Sequence, residues 1–205
     1  MPFYVLKLGG SLMPTARDLM SALSILTEDG YSFLVVPGGG PMADLVREID
    51  SMYEITEEAA HWMAILAMEQ YAYFLADSGR ASLTREIRRP EGDQAIEILL
   101  PYQVLQKDDR GLEHNWDYTS DSVAALVALR LDAPLIKATD VDGVILEGMV
   151  VREVSADHLR GIESCIDQGT LRLLQGRSVR VLNGTDPQRF VEALKSGEGG
   201  TIIRG

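Results

Sequence analysis

Lys7, Gly9, Gly10 and Ser11 follow directly on the apolar run Phe3-Tyr4-Val5-Leu6, placing a cation, two glycines and a hydroxyl within five residues. That combination suits phosphate, because glycines let backbone N–H groups approach an anion and a lysine adds a mobile positive charge. A tight turn accounts for Gly-Gly equally well when the segment is read alone. A second glycine cluster, Pro37-Gly38-Gly39-Gly40-Pro41, follows another apolar run. Ligands of α/β proteins bind at such carboxyl ends of strands. Read as Gly38-x-Gly40-x-x-Ala43, with Glu57 or Glu58 placed for a ribose, the cluster also imitates a dinucleotide fingerprint. A Rossmann fold puts that fingerprint on its first strand, and here Lys7 holds that place.

Two further segments carry polar groups in suggestive positions. Thr119, Ser120 and Asp121 open a helix-period stretch and form a capping cluster. Beyond capping, Asp121 is placed to orient Lys7 and the helix N-terminus towards a phosphoryl group. Lys137-Ala138-Thr139-Asp140-Val141-Asp142-Gly143-Val144 puts a second lysine at a strand end before an aspartate-rich turn.

The elements that must hold these groups alternate between apolar runs and helix-period segments, which argues for an α/β layered sheet. Strands are expected at Phe3–Leu8, Tyr31–Val36, Ala95–Leu100, Pro134–Ala138, Ser178–Leu182 and Thr201–Ile203, with an edge strand at Val150–Glu153. Helices are expected after Thr15, which is read as a cap with Asp18 three residues on, and at Pro41–Ser51, Glu57–Ala76, Ser120–Leu131 and Pro187–Ser196. Arg85-Glu86-Ile87-Arg88-Arg89-Pro90 reads as a solvated, mobile loop. No repeat or composition break marks a linker, so residues 1–205 are read as one domain.

The chain has 205 residues and 19 basic against 31 acidic side chains, a net charge of −12. That field disfavours nucleic acid and anionic membranes as partners. No apolar run reaches the roughly 18 residues of a membrane helix, and no secretory signal opens the chain. A lone cysteine suits a reducing compartment, and a cytoplasmic location is expected. His61, His114, His158 and Cys165 lack zinc-ligand spacing, so no metal centre is expected.

Together the K-x-G-G-S opening, the G-G-G loop, the T-S-D helix start and the T-D-V-D-G-V turn, in this order, resemble the amino acid kinase superfamily over essentially the whole chain. Val181-Leu182-Asn183-Gly184 and Gly200-Thr201-Ile202-Ile203 look like the ending of its uridylate kinases. The resemblance implies a three-layer αβα sandwich with a mostly parallel central sheet, and an ATP-dependent kinase with Mg²⁺ carried by the nucleotide. It implies that Lys7, Gly9, Gly10 and Ser11 hold the transferring group and that Asp121 organises the catalytic lysine. Gly38, Gly39 and Gly40 would line the acceptor site, and Thr119 stands beside it. Thr139, Asp140, Asp142 and Gly143 would lie along the nucleotide. Relatives are dimers or hexamers, so a homo-oligomer is expected.

Departures from the family pattern narrow the acceptor. Uridylate kinases carry a ribose-binding aspartate on the helix after the G-G-G loop, and here the matching stretch carries His61. An imidazole replaces a twofold acceptor poorly. The glycine-methionine-lysine segment that supplies acetylglutamate kinases with a second lysine is not evident; Cys165–Thr170 stands near there, and Lys137 is the candidate replacement. The run Pro37–Val46 with Arg47 and Ala60–Tyr71 looks like small kinases of methanofuran biosynthesis, which phosphorylate the phosphate ester of an aminomethylfuran to a diphosphate. On that resemblance Arg47 would hold the acceptor phosphate, and His61 or a nearby acid would meet the furan or its amine. Arg47 as a surface residue and His61 as a core histidine fit the periodicity as well. Uridylate kinase activity and a non-catalytic nucleotide-binding role are the competing readings.

Overall fold

The computed structural model describes residues 2–91 and 95–205. From the N-terminus come β1 (Phe3–Leu8), a 3-10 turn (Gly10–Leu12), α1 (Ala16–Glu28), β2 (Ser32–Pro37), α2 (Gly40–Tyr53) and α3 (Glu57–Ala76). Then follow β3 (Ser82–Thr84), β4 (Ile96–Leu99), α4 (Pro101–Lys107), α5 (Ser120–Leu131) and β5 (Leu135–Thr139). A small hairpin of β6 (Ile145–Leu146) and β7 (Met149–Val150) precedes β8 (Glu153–Ser155), α6 (Ala156–Leu159) and α7 (Gln168–Leu173). The last elements are β9 (Ser178–Asn183), α8 (Pro187–Ser196) and β10 (Thr201–Arg204).

Among the described residues the main sheet has eight strands in the order β3-β4-β2-β1-β5-β9-β10-β8. Every neighbouring pair is parallel except β9 with β10. The central strands are continuous apolar runs because helices cover both faces. Alternation divides each strand between two cores: Leu6, Leu8, Phe33 and Val35 pack with Leu19, Leu23 and Leu26 of α1 and Phe190 of α8. Val5, Leu34 and Val36 pack on the other side with Val123, Ala124 and Val127 of α5 and Leu171 of α7. This is a three-layer αβα sandwich.

The helix α5 is apolar nearly all round, with Val123–Ala128 buried at every position. A helix of that kind belongs in an interior, and its N-terminus therefore opens inside the molecule. The helix α3 follows its expected bounds, capped by the Thr56 hydroxyl, which accepts from Ala59 N at 3.2 Å.

Three local expectations need correction. Thr15 makes no side-chain cap; its hydroxyl donates to Leu12 O at 3.3 Å, because the 3-10 turn runs almost directly into α1. Val150–Glu153 is not one edge strand: Val150 closes the β6–β7 hairpin, and the sheet edge begins at Glu153. The Arg85–Pro90 loop is anchored, since Arg88 bonds the buried Glu97 of β4 at 2.7 Å and Glu86 at 3.2 Å. The short elements β3, α4, α6 and α7 carry too little periodicity to be read from sequence.

Candidate active site

The two glycine loops mesh. A Cβ on Gly10 would lie 2.2 Å from Gly40 N, and one on Gly38 would lie 2.6 Å from Gly10 N. Gly40 also has a φ of +54°, a left-handed conformation that glycine adopts at little cost. These residues are glycines so that the ends of β1 and β2 can touch. The contact brings the start of the 3-10 turn and the start of α2 to one spot. The first amides of a helix have no acceptor within it, so both starts present donors suited to an anion.

Beside this spot the sheet register sets two lysines next to each other, Lys7 of β1 opposite Lys137 of β5. Both are buried, at 7% and 5% exposure, and Asp121 at the start of α5 lies between them at 6%. Lys7 Nζ is 2.9 Å from Asp121 Oδ1, while Lys137 Nζ donates to Asp121 Oδ2 and to the carbonyl of Cys165. Burial pushes the Lys7 ammonium down, reinforced by Lys137 and opposed by Asp121, and the net direction is down. Burial favours a neutral Asp121, but the two lysines outweigh it and hold the carboxyl well below the usual carboxylate range. One carboxylate thus serves two ammonium groups, leaving a net positive charge that an anion would neutralise.

The N-terminus of α5 is held by a residue from elsewhere in the chain. Thr119 is the N-cap, yet its side chain caps nothing, contrary to the expected capping cluster. Its amide and hydroxyl instead donate to Asp167 Oδ2 at 2.8 and 2.7 Å. Ser122 N donates to the same oxygen at 3.1 Å, and Ser122 Oγ donates to Asp167 Oδ1 at 2.7 Å. Asp167 Oδ1 also caps α7, accepting from Thr170 N at 2.7 Å. One carboxylate clasps two helix starts and fixes the helix that carries Asp121. Sequence reading missed it; the helix that follows it is only six residues long.

A cavity of about 670 Å³ opens over the glycine loops and Lys7, and is also lined by Ser11, Thr139, Arg47, His61, Trp116 and Thr119. The structure therefore brings Lys7, Gly9, Gly10, Ser11, Gly39, Gly40, Arg47, His61, Thr119 and Thr139 around one space. Asp121 and Lys137 sit behind that wall, and Gly38 packs on the β1 loop rather than facing in. Ala64, Ile65 and Met68 of α3 supply an apolar side. Arg47 pairs with Asp44 at 3.2 Å and lies over the Trp116 ring at 4.8 Å, and the Trp116 indole donates to Asp50 at 2.7 Å. His61 is 7% exposed, and burial followed by the neighbouring His114 lowers its pKa to about 4.

The turn after β5 departs from the cavity as it proceeds. Asp140 stays beside Ser11: burial raises its pKa, but hydrogen bonding from Ser11, its own amide and Thr139 prevails and holds it down. Asp142 accepts from Asn183 Nδ2 at 2.8 Å. Gly143 packs against Thr201, whose Oγ1 would lie 2.3 Å from a Cβ there. These last two residues brace the loop against β9 and β10.

His61 of α3 and Asp109 and His114 of the loop before α5 bring potential ligand atoms within 4.8 Å of one another. Their spacing in sequence gives no hint of this. The His61 and His114 rings are stacked, with centroids 3.9 Å apart and planes 9° from parallel. Lone pairs of stacked rings lie in separate planes and do not converge on one ion.

A parallel αβα sheet with paired lysines at the ends of neighbouring central strands defines a phosphotransferase site, and residues 2–183 match the model of the amino acid kinase family. The chain belongs to that family and is a kinase. It is 33% identical to the [5-(aminomethyl)furan-3-yl]methyl phosphate kinase of Methanocaldococcus jannaschii, over 94% of this chain and 93% of that one. It is 23% identical to the uridylate kinase of Methanothermobacter thermautotrophicus, over 97% and 98% of the two chains. The uridylate kinase of Archaeoglobus fulgidus shares the fold with a TM-score of 0.72 and 20% identity, covering 99% of this chain and 100% of its own.

Proposed function

We propose that this kinase transfers the γ-phosphoryl group of ATP to the phosphate of [5-(aminomethyl)furan-3-yl]methyl phosphate, giving the diphosphate and ADP. The observation that carries the reading is the Lys7–Asp121–Lys137 group beneath a cavity whose acceptor wall offers His61, Trp116 and apolar side chains. The relative that acts on this phosphate monoester matches nearly the full chain.

In this reading an oxygen of the acceptor phosphate attacks the γ-phosphorus, and the bond from that phosphorus to the β-bridging oxygen breaks. The attacking oxygen is already ionised at neutral pH, so no general base is required. Phosphoryl transfer needs alignment and charge neutralisation. Lys7 faces the cavity and stabilises charge on the transferring group. Lys137 and Asp121 fix its ammonium in place. Amides at the start of the 3-10 turn and of α2 bind phosphate oxygens, and Arg47 is within the cavity wall for the acceptor phosphate. Mg²⁺ suits oxygen ligands and arrives largely coordinated by nucleotide phosphates and water. Asp140, next to Ser11 and held towards its ionised form, would be a carboxylate available to the ion's water shell, where Mg²⁺ would neutralise phosphate charge. Thr139 contacts the nucleotide from the same end.

Self-association is part of the proposal, supported by Leu45, Met52 and Tyr53 of α2 and Leu66 and Tyr73 of α3, all exposed apolar side chains. No helix among the described residues is long and apolar enough to cross a membrane. With its single cysteine free, the chain suits the cytoplasm.

The test is ADP release from ATP with the furan phosphate and, separately, with UMP. Turnover of the furan phosphate with kcat/KM at least tenfold above UMP is expected. Preferred turnover of UMP would replace the reading with uridylate kinase, and no ADP release with either would favour a non-catalytic nucleotide-binding protein.

A further inference from the structure

Behind the cavity wall lies a group of charges that the transfer chemistry does not use. His114 bonds Glu58 through Nδ1 and Asp109 through Nε2, the latter at 2.9 Å. Satisfying two carboxylates requires both ring nitrogens to carry protons, so His114 is an imidazolium. Its pKa moves accordingly: burial lowers it, but hydrogen bonds to Glu58 and Asp109 prevail and raise it. Two carboxylates against one imidazolium leave a net charge of about −1. Glu57, which lines the cavity, adds to that sign, while Asp44 is balanced by its partner Arg47.

His61 stands between this group and the cavity. It stacks on His114, and the edge of Trp62 fixes it from the side at 5.0 Å and 82°. Trp62 is itself pinned, donating from Nε1 to Glu58 at 2.6 Å. His61 Nε2 is buried and has no hydrogen-bond partner among the described residues. A buried, unpaired ring nitrogen is destabilising, and a bound partner removes that cost. A neutral imidazole protonated at Nδ1 offers a lone pair at Nε2, and a primary ammonium carries three donors and no acceptor.

We propose that His61, backed by the clamped His114 and its two carboxylates, forms an ammonium subsite, so that the enzyme selects phosphate monoesters carrying a primary amine. The proposal rests on the phosphate-monoester reading above and adds the group that distinguishes this acceptor from an uncharged one. His61 accepts one N–H from the ammonium. His114, Glu58 and Asp109 act through it as positioning residues, holding its ring and making the local field negative. A divalent cation is the competing occupant, and the parallel rings and doubly occupied His114 disfavour it.

The experiment compares the aminomethyl acceptor with its methyl counterpart, in which the amine is absent, in the wild type and in His61→Phe. In the wild type, KM is expected to be at least tenfold lower for the amine, with kcat values within about threefold. His61→Phe keeps the stack, and is expected to raise KM for the amine about 10- to 100-fold, the loss of one charge-assisted hydrogen bond. Its amine preference should collapse. Equal KM values for the two esters in the wild type would overturn the proposal, as would an undiminished preference in the variant. If neither ester is turned over, the acceptor reading fails and the subsite is judged by binding. Quenching of Trp62 and Trp116 fluorescence would then be titrated with the amino alcohol and its methyl counterpart, equal affinities overturning the proposal. Stoichiometric Zn²⁺ retained by the wild type and lost in His61→Phe would overturn it in favour of a metal centre.

Discussion

Replacing Asp167 by asparagine tests whether a residue outside the cavity sets the geometry of the transfer site. The carboxylate accepts five hydrogen bonds, three at Oδ2 from Thr119 N, Thr119 Oγ1 and Ser122 N, and two at Oδ1 from Ser122 Oγ and Thr170 N. Asparagine has one carbonyl oxygen. Its best orientation keeps that oxygen towards Thr119 and turns the amide towards Thr170 N, donor against donor. The Ser122 hydroxyl can rotate to accept, so one bond is lost outright and three lose their charge assistance. With net contributions of about 1.5–3 kcal/mol for a hydrogen bond to a charged group, discounted for partial exposure, the expected loss is about 3 kcal/mol. Urea denaturation measures it. Asp121 lies between the two residues that Asp167 holds, and a displacement of about 1 Å at a reacting centre costs on the order of 100-fold. A fall in kcat of that order is expected, with KM for ATP and acceptor changed less than about threefold. A double-mutant cycle with Ser122→Ala should return a coupling of at least about 1 kcal/mol. If Asp167→Asn unfolds within about 0.5 kcal/mol of the parent and turns over within threefold of it, the clasp has no bearing on catalysis.

Three further outcomes are expected. Lys7→Ala should lower kcat by about 100-fold or more, because it removes the ammonium that faces the transferring group in a water-poor site; initial rates of ADP release within a few-fold of the parent would refute that role. Gly10→Ala should destabilise the fold by about 1–3 kcal/mol, since its Cβ would meet Gly40 N at 2.2 Å, where only backbone can give way; an unchanged melting temperature would contradict the meshed loops. His61 contributes a pH dependence of definite sign: its pKa falls from 6.5 unfolded to about 4 folded, so the unfolded state binds the extra proton and stability drops as pH falls through that window. Between pH ~7.5 and pH ~5 the wild type should lose about 2 kcal/mol more than His61→Phe in urea denaturation, and parallel pH profiles would contradict the neutral buried imidazole.

The sheet was legible because buried parallel strands are unbroken apolar runs, the helix Glu57–Ala76 because it opens on a cap and two acids, and Pro187–Ser196 because it carries a cap and an apolar stripe. Short elements such as β3 and α7 were not, since their three and six residues span too little of a period. The clustering of a cation, two glycines and a hydroxyl in Lys7, Gly9, Gly10 and Ser11 was likewise visible, since it needs only residue types adjacent in the chain.

What joined the parts was decided by tertiary structure. Lys137 stands beside Lys7 because of the β1–β5 register, and register depends on which strands pair, which local sequence does not encode. Asp167 clasps α5 from 45 and 48 residues away, displacing the local cap that Thr119 seemed to supply. His61 and His114, 53 residues apart in sequence, meet only because α3 and the loop before α5 pack together. Sequence alone therefore determined the lysine, glycine and hydroxyl cluster at the end of β1, whose character is local and backbone-driven. The wall that carries Arg47, His61 and Trp116 is built from long-range contacts, because those residues come from separate elements and only the folded chain brings them around one cavity.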